Sequence, residues 1–119
     1  MHKILPDAVF ITLLRDPVQC FESNYVYMGL QNAYRMDINQ FAESHAAQND
    51  TRKPGAIIGK NQQLWDLGTS SLEMEDPVMV EENIARYDSD FDLVMITEYF
   101  DESLVLLAEL LCWDLSDLR

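Results

Sequence analysis

Basic residues are scarce in this chain: eight Lys and Arg stand against 21 Asp and Glu, a formal net charge of −13 over 119 residues. That balance excludes nucleic acid as an expected partner, because a phosphate backbone would be repelled. Cysteine is scarce too. Cys20 and Cys112 are the only two, and two isolated thiols do not suggest a metal site. They read as buried thiols or, in an oxidising compartment, as a disulfide. No apolar run is long enough to span a bilayer, and Met1-His2-Lys3 does not read as a signal peptide. There is no Gly-rich phosphate loop of the P-loop kind, His2 and His45 have no partner pattern, and no Ser/His/Asp set can be assembled. Repeats and low-complexity segments are missing as well.

What is present is a folded composition. Hydrophobic residues make up 48% of the chain with only four Gly and four Pro, enough for one domain with one core and unlike a disordered segment. The charge is unevenly spread. Residues 1–65 carry six acids and six bases and sum to zero, whereas residues 66–119 carry fifteen acids against Arg86 and Arg119. The acidic half reads most simply as a solvated surface, and it favours a neutral sugar over an anionic substrate.

The neutral half contains the stretch with the clearest chemistry. Ala8 to Leu14, with β-branched Val9, Ile11 and Thr12, predicts a buried strand. Arg15 follows, then Asp16-Pro17, a helix start with Asp as N-cap and Pro at the first helical position. Val18, Phe21, Tyr25 and Met28 form one apolar stripe, Gly29 is a plausible C-cap, and Ser23 lies nearly opposite the stripe. Arg15 thus falls at the carboxyl end of a strand, where ligands bind in open α/β sheets. Its guanidinium can grip a phosphate bidentately, beside the N-terminus of a helix. The plainer reading pairs Arg15 with a surface carboxylate and leaves Ser23 solvated.

Further along, Gln31–Met36 reads as polar loop, and Asp37 caps a short helix through Ser44. Gln48–Gly55 is the strongest loop, and Ala56–Leu67 is partly helical and ended by Gly68. Gly68–Asp76 is loop. Asp76-Pro77 opens a helix with Val80, Ile84 and Tyr87 inward, and Asp88–Asp90 is a turn. Phe91–Thr97 is a second strand, and a last helix begins near Asp101 with Leu104, Leu107, Ala108 and Leu111 inward. Strand, helices, strand, helix is a parallel crossover pattern. Two strands make no stable sheet alone, so the fold class is α/β, a partial parallel sheet with flanking helices. Trp65 and Trp113 suit sugar stacking or a core, and their Leu neighbours favour core. Lys60 reads as surface. Glu98, just past the second strand, suits a general base, a polar group orienting the site, or a helix-start carboxylate.

Leu13-Leu14-Arg15-Asp16-Pro17 with Ser23 resembles the 3′-phosphate-binding element of PAPS-dependent sulfotransferases. The wider string resembles the galactose-3-O-sulfotransferase family: Phe10 to Val18, Glu22-Ser-Asn-Tyr25, Lys60-Asn61, Trp65-Asp-Leu-Gly68, Ile96-Thr-Glu98 and Asp101 to Leu107. The likeness covers most of the chain in the same order.

The resemblance implies a piece of a P-loop nucleotide-hydrolase-like sulfotransferase fold. Residues 1–119 would form a single partial domain, with a 3′-phosphate-binding strand–helix at 8–29 and an acidic half at 66–119. It implies that Arg15 and Ser23 bind PAPS, with PAP as product and no metal. The acceptor would be the 3-hydroxyl of galactose in a glycolipid such as galactosylceramide or in a galactose-terminated glycan. The family consists of Golgi type II membrane proteins acting on the lumenal side, so the chain is expected to be an internal piece without anchor and stem. A lumenal setting would make Asn49 in Asn49-Asp50-Thr51 a glycosylation site. A 5′-phosphosulfate loop with a Lys-Thr-Gly-Ser-Ser-like string is expected upstream of Arg15 and is not found in these residues, so the fragment alone is expected to be inactive. Two other readings stand beside this one: a non-catalytic nucleotide-binding or interaction module, and a heparan-type polysaccharide sulfotransferase. The latter calls for basic residues that 66–119 lack.

Overall fold

The computed structural model describes residues 5–44 and 61–118. Strand β1, Ile11–Leu14, pairs in parallel with β2, Leu93–Ile96, in the register Ile11↔Leu93 to Leu14↔Ile96. Between them run helices α1 (Pro17–Tyr27), α2 (Leu30–Tyr34), α3 (Ile38–Glu43), α4 (Gln62–Asp66) and α5 (Pro77–Asp90). After β2 come a 3-10 turn, Thr97–Tyr99, and helix α6, Phe100–Leu111. The parallel crossover and the α/β class are as expected. The chain divides into two compact units, Met1–Asp16 with Glu82–Arg119, and Pro17–Glu81.

The first unit is built on the strand pair, with α6 packed on β2. Met95 and Ala108 are buried, and Leu104, Leu107 and Leu111 are half-buried, as the helical spacing predicts. The expected burial of β1 is corrected. Ile11 is 37% and Leu13 50% exposed, because among the described residues only one face of a two-stranded sheet is covered. Both strands are also shorter than expected, since Thr97 already turns into the 3-10 segment.

Helix α6 ends on Cys112, at φ 54. The Trp113 N–H bonds the Ala108 carbonyl at 2.8 Å and the Cys112 N–H bonds that of Glu109 at 3.2 Å, a Schellman closure made without glycine. The turn carries Trp113 out to 52% exposure, and Trp65, on the five-residue α4 with no buried position, is 39% exposed. Neither tryptophan is the core residue expected. Both cysteines are free thiols, Cys20 half-buried and Cys112 exposed.

In the second unit Phe41 is fully buried, with Tyr25 and Leu30 beside it and Phe21, Tyr34, Met36 and Ile38 packed around. Ring centroids of Tyr34, Tyr25 and Phe21 lie 5.1, 5.6 and 6.2 Å from that of Phe41. Such aromatic pairs each add about 0.5–1.5 kcal/mol beyond area burial. The expected stripe on α1 is buried only at its middle, since Val18 and Met28 are 64% and 42% exposed.

Gln31–Tyr34, expected as loop, is helical, and only Arg35 and Met36 are loop. Gly29, at φ 62, ends α1 and starts α2, and Leu30 and Tyr34, one turn apart, supply buried and packed contacts. Asp37 caps α3 as expected, accepting from Asn39 and Gln40 N–H groups at 2.9 Å while Gln40 Oε1 accepts from the Asp37 N–H. Gly68, at φ 98, follows α4 in the left-handed region. Between α4 and α5, Glu73–Glu75 forms a short 3-10 turn where loop was expected.

Asp76 caps α5 through the Val78 N–H at 2.9 Å. The helix runs on through Asp88–Asp90, expected as a turn, because Ser89 Oγ bonds back to the Arg86 carbonyl and the Phe91 N–H continues the ladder to Tyr87. Its buried face is Asn83 and Tyr87, while Ile84 is 53% exposed. Neighbouring positions differ by roughly 100° on a helix, so Val80 and Tyr87 can share a face with either.

Candidate functional site

β1 delivers Arg15 to the carboxyl end of the strand pair. Leu14↔Ile96 is the last paired position, so the next residues of the two strands emerge side by side. There the side chains after β2 take over from the ladder. Thr97 Oγ1 donates to the Leu14 carbonyl at 2.9 Å, and the Asp16 N–H donates to Glu98 Oε1 at 3.0 Å. Ser103, buried near the start of α6, anchors the same corner from behind. Its Oγ accepts from the Ile96 N–H at 3.0 Å and donates to the Ile96 carbonyl at 3.3 Å. At the other end of β1 the Phe10 N–H donates to Asp92 Oδ2 and the Asp92 N–H to the Phe10 carbonyl, both at 2.8 Å.

Arg15 is half-buried, with its Nε out of contact with solvent. Pro17 begins α1 two residues later, as the Asp-Pro start predicts. Ser23 is exposed on α1, as expected for a residue off the apolar stripe. Arg15 belongs to the first compact unit and Ser23 to the second. The other described basic residue of the first unit, Arg86, lies 4.9 Å over the Tyr87 ring and bonds its hydroxyl at 3.1 Å. Asn49 and Lys60 lie outside the described residues. Among the described residues no group of three or more His, Cys, Asp or Glu side chains could hold a metal ion, and no helix is long and apolar enough to cross a membrane.

Chemically, the corner offers a guanidinium fork beside a strand end, a geometry suited to an oxyanion such as a phosphate. The residues that sequence reasoning left unassigned are Thr97 as a donor to Leu14 and Ser103 as an anchor for Ile96. The signal for the first was the parallel register itself. Once β1 and β2 are aligned, Thr97-Glu98 must adjoin Arg15-Asp16.

The family model described as galactose-3-O-sulfotransferase matches residues 1–119, the whole chain. The chain belongs to the galactose-3-O-sulfotransferase family. Relatives in that family include galactosylceramide sulfotransferase of Bos taurus, 40% identical over 121 residues that cover 96% of this chain and 28% of that protein. Galactose-3-O-sulfotransferase 3 of Mus musculus is 38% identical over 119 residues, covering 94% of this chain and 28% of that protein. Galactose-3-O-sulfotransferase 2 of Mus musculus is 31% identical over 123 residues, 98% of this chain and 31% of that protein. The chain therefore spans less than a third of the length of these family members. No solved structure matches it.

Proposed function

We propose that this chain is part of a sulfotransferase that moves a sulfuryl group from PAPS to the 3-hydroxyl of a galactose, and that it contributes the 3′-phosphate end of the donor site. Both compact units are read as parts of one sulfotransferase domain. Family membership over the whole chain supports the reaction class, and the names of the relatives support galactose as the acceptor sugar. Galactosylceramide is the glycolipid acceptor we favour, on the similarity to galactosylceramide sulfotransferase; a galactose-terminated glycan is the other member of the same class.

The observation that carries the reading is the placement of Arg15 at the carboxyl end of a parallel strand pair, two residues before α1. In this reading Arg15 takes the 3′-phosphate through its paired donors, and the Ser23 hydroxyl adds a hydrogen bond from α1. PAPS, when bound, supplies the sulfuryl group. In the overall reaction a bond forms between the galactose 3-oxygen and sulfur, the bond from sulfur to the PAP phosphate breaks, and the hydroxyl proton leaves. Holding the phosphates and stabilising the departing charge are the tasks that fixed cations and oriented donors perform best. Residues outside this chain would cradle the 5′-phosphosulfate. A Golgi lumenal setting and glycan attachment at Asn49 belong to the same proposal.

The test is PAP binding by calorimetry on the full natural chain, wild type against Arg15→Ala. The expected outcome is a loss of at least about tenfold, the size of one charged hydrogen-bonding partner removed. Equal binding by the two proteins overturns the assignment.

A further inference from the structure

We infer that Thr97 and Glu98 are positioning residues for Arg15: together they fix both peptide planes that flank its Cα, and so aim its guanidinium. The inference rests on the reading of Arg15 as a phosphate ligand. Its geometry is independent of that reading. A residue has two soft backbone dihedrals, each set by the peptide plane on one side. For Arg15 those planes carry the Leu14 carbonyl and the Asp16 N–H. The first accepts from Thr97 Oγ1 at 2.9 Å, and the second donates to Glu98 Oε1 at 3.0 Å. The Leu14 carbonyl sits at the last pair of the strand ladder, Leu14↔Ile96, and the Asp16 N–H lies beyond it. Two consecutive side chains, 82 and 83 residues away in sequence, are thus spent on the two backbone groups beside one arginine.

Glu98 thereby takes a positioning role in place of that of a general base. Its Oε1 is engaged by a backbone N–H, where an acceptor oxygen is needed and a titratable group is not. A carboxylate close to a phosphate site is electrostatically unfavourable, so a purely attractive design would have used a neutral acceptor. Glutamine at position 98 keeps the acceptor oxygen and removes the charge.

The test uses the full natural chain, PAP calorimetry, and turnover with PAPS and a galactoside acceptor. Glu98→Ala and Thr97→Val are expected to weaken PAP binding about fivefold or more, and to raise KM for PAPS more than they lower kcat. Glu98→Gln and Thr97→Ser, which keep the hydrogen-bonding atoms, are expected to bind PAP at least as well as wild type and to turn over. In an Arg15→Ala background, Glu98→Ala should weaken PAP binding no further, because its effect passes through the arginine. Should Glu98→Ala fail to fold, Thr97→Val and Glu98→Gln still decide the matter. Wild-type PAP binding by Thr97→Val or Glu98→Ala overturns the inference, as does loss of turnover in Glu98→Gln with PAP binding intact, the signature of a general base. Additive losses with Arg15→Ala overturn it too. Unchanged PAP binding in Arg15→Ala itself is a different failure, that of the phosphate reading.

Discussion

Around Phe41 three rings lie within 5.1–6.2 Å and the residue is wholly buried. Around Arg15 the ties are polar: Thr97 on Leu14, Glu98 on Asp16 and Ser103 on Ile96, with Asp92 closing the far end of the strand. The two neighbourhoods are therefore held by different physics. Burial of rings is non-directional and tolerates small shifts. Hydrogen bonds to named backbone atoms are directional and hold geometry more than they add net stability. The corner at Arg15 relies on the second kind and the cluster around Phe41 on the first.

The difference can be attacked by substitution, starting with the largest effect. Phe41→Ala is expected to cost about 3–5 kcal/mol in urea unfolding, while amide exchange at Asp16, read where the variant remains folded, stays as in wild type. A parallel rise in Asp16 exchange would break the comparison. Ser103→Ala removes the partner of both the Ile96 N–H and its carbonyl, with an expected cost of about 1–3 kcal/mol. Here Asp16 exchange should rise. Asp37→Ala deletes the capping box of α3 and should cost about 0.5–2 kcal/mol, measured by thermal unfolding.

The smallest effect is at alkaline pH. Burial, and after it the charge of Asp37, holds the Tyr25 phenol above its ordinary value of 10.0. A raised phenol favours the neutral form in the folded chain. Its stabilisation is complete below 10.0 and is lost as pH rises through the folded value. Tyrosinate absorbance should show the Tyr25 phenol titrating late, shifted back toward 10.0 in Asp37→Ala.

Helix starts were legible in the sequence because capping is local chemistry: Asp37, the Asp16-Pro17 pair and the Asp76-Pro77 pair each signal within three residues. The strand pair and its parallel sense were legible from apolar runs and crossover length. α2 was not, because its helical state depends on Leu30 and Tyr34 meeting a core that Phe41 supplies from another element. Nor was the inward turn of Asn83 over Ile84, since polarity argued the other way. At the candidate site, Arg15 stood out by residue type and position. The work of Thr97 did not, because a hydroxyl is ordinary until the register places it 2.9 Å from Leu14.

The 82-residue separation between Asp16 and Glu98 also orders events during synthesis. At about 5–20 residues per second, a ribosome makes Arg15 roughly 4–16 s before the carboxylate that braces its turn. Nascent chains would carry the arginine through that interval without its brace. A chain stopped short of Thr97 would keep Arg15 and lose both side chains that bond the backbone groups flanking it.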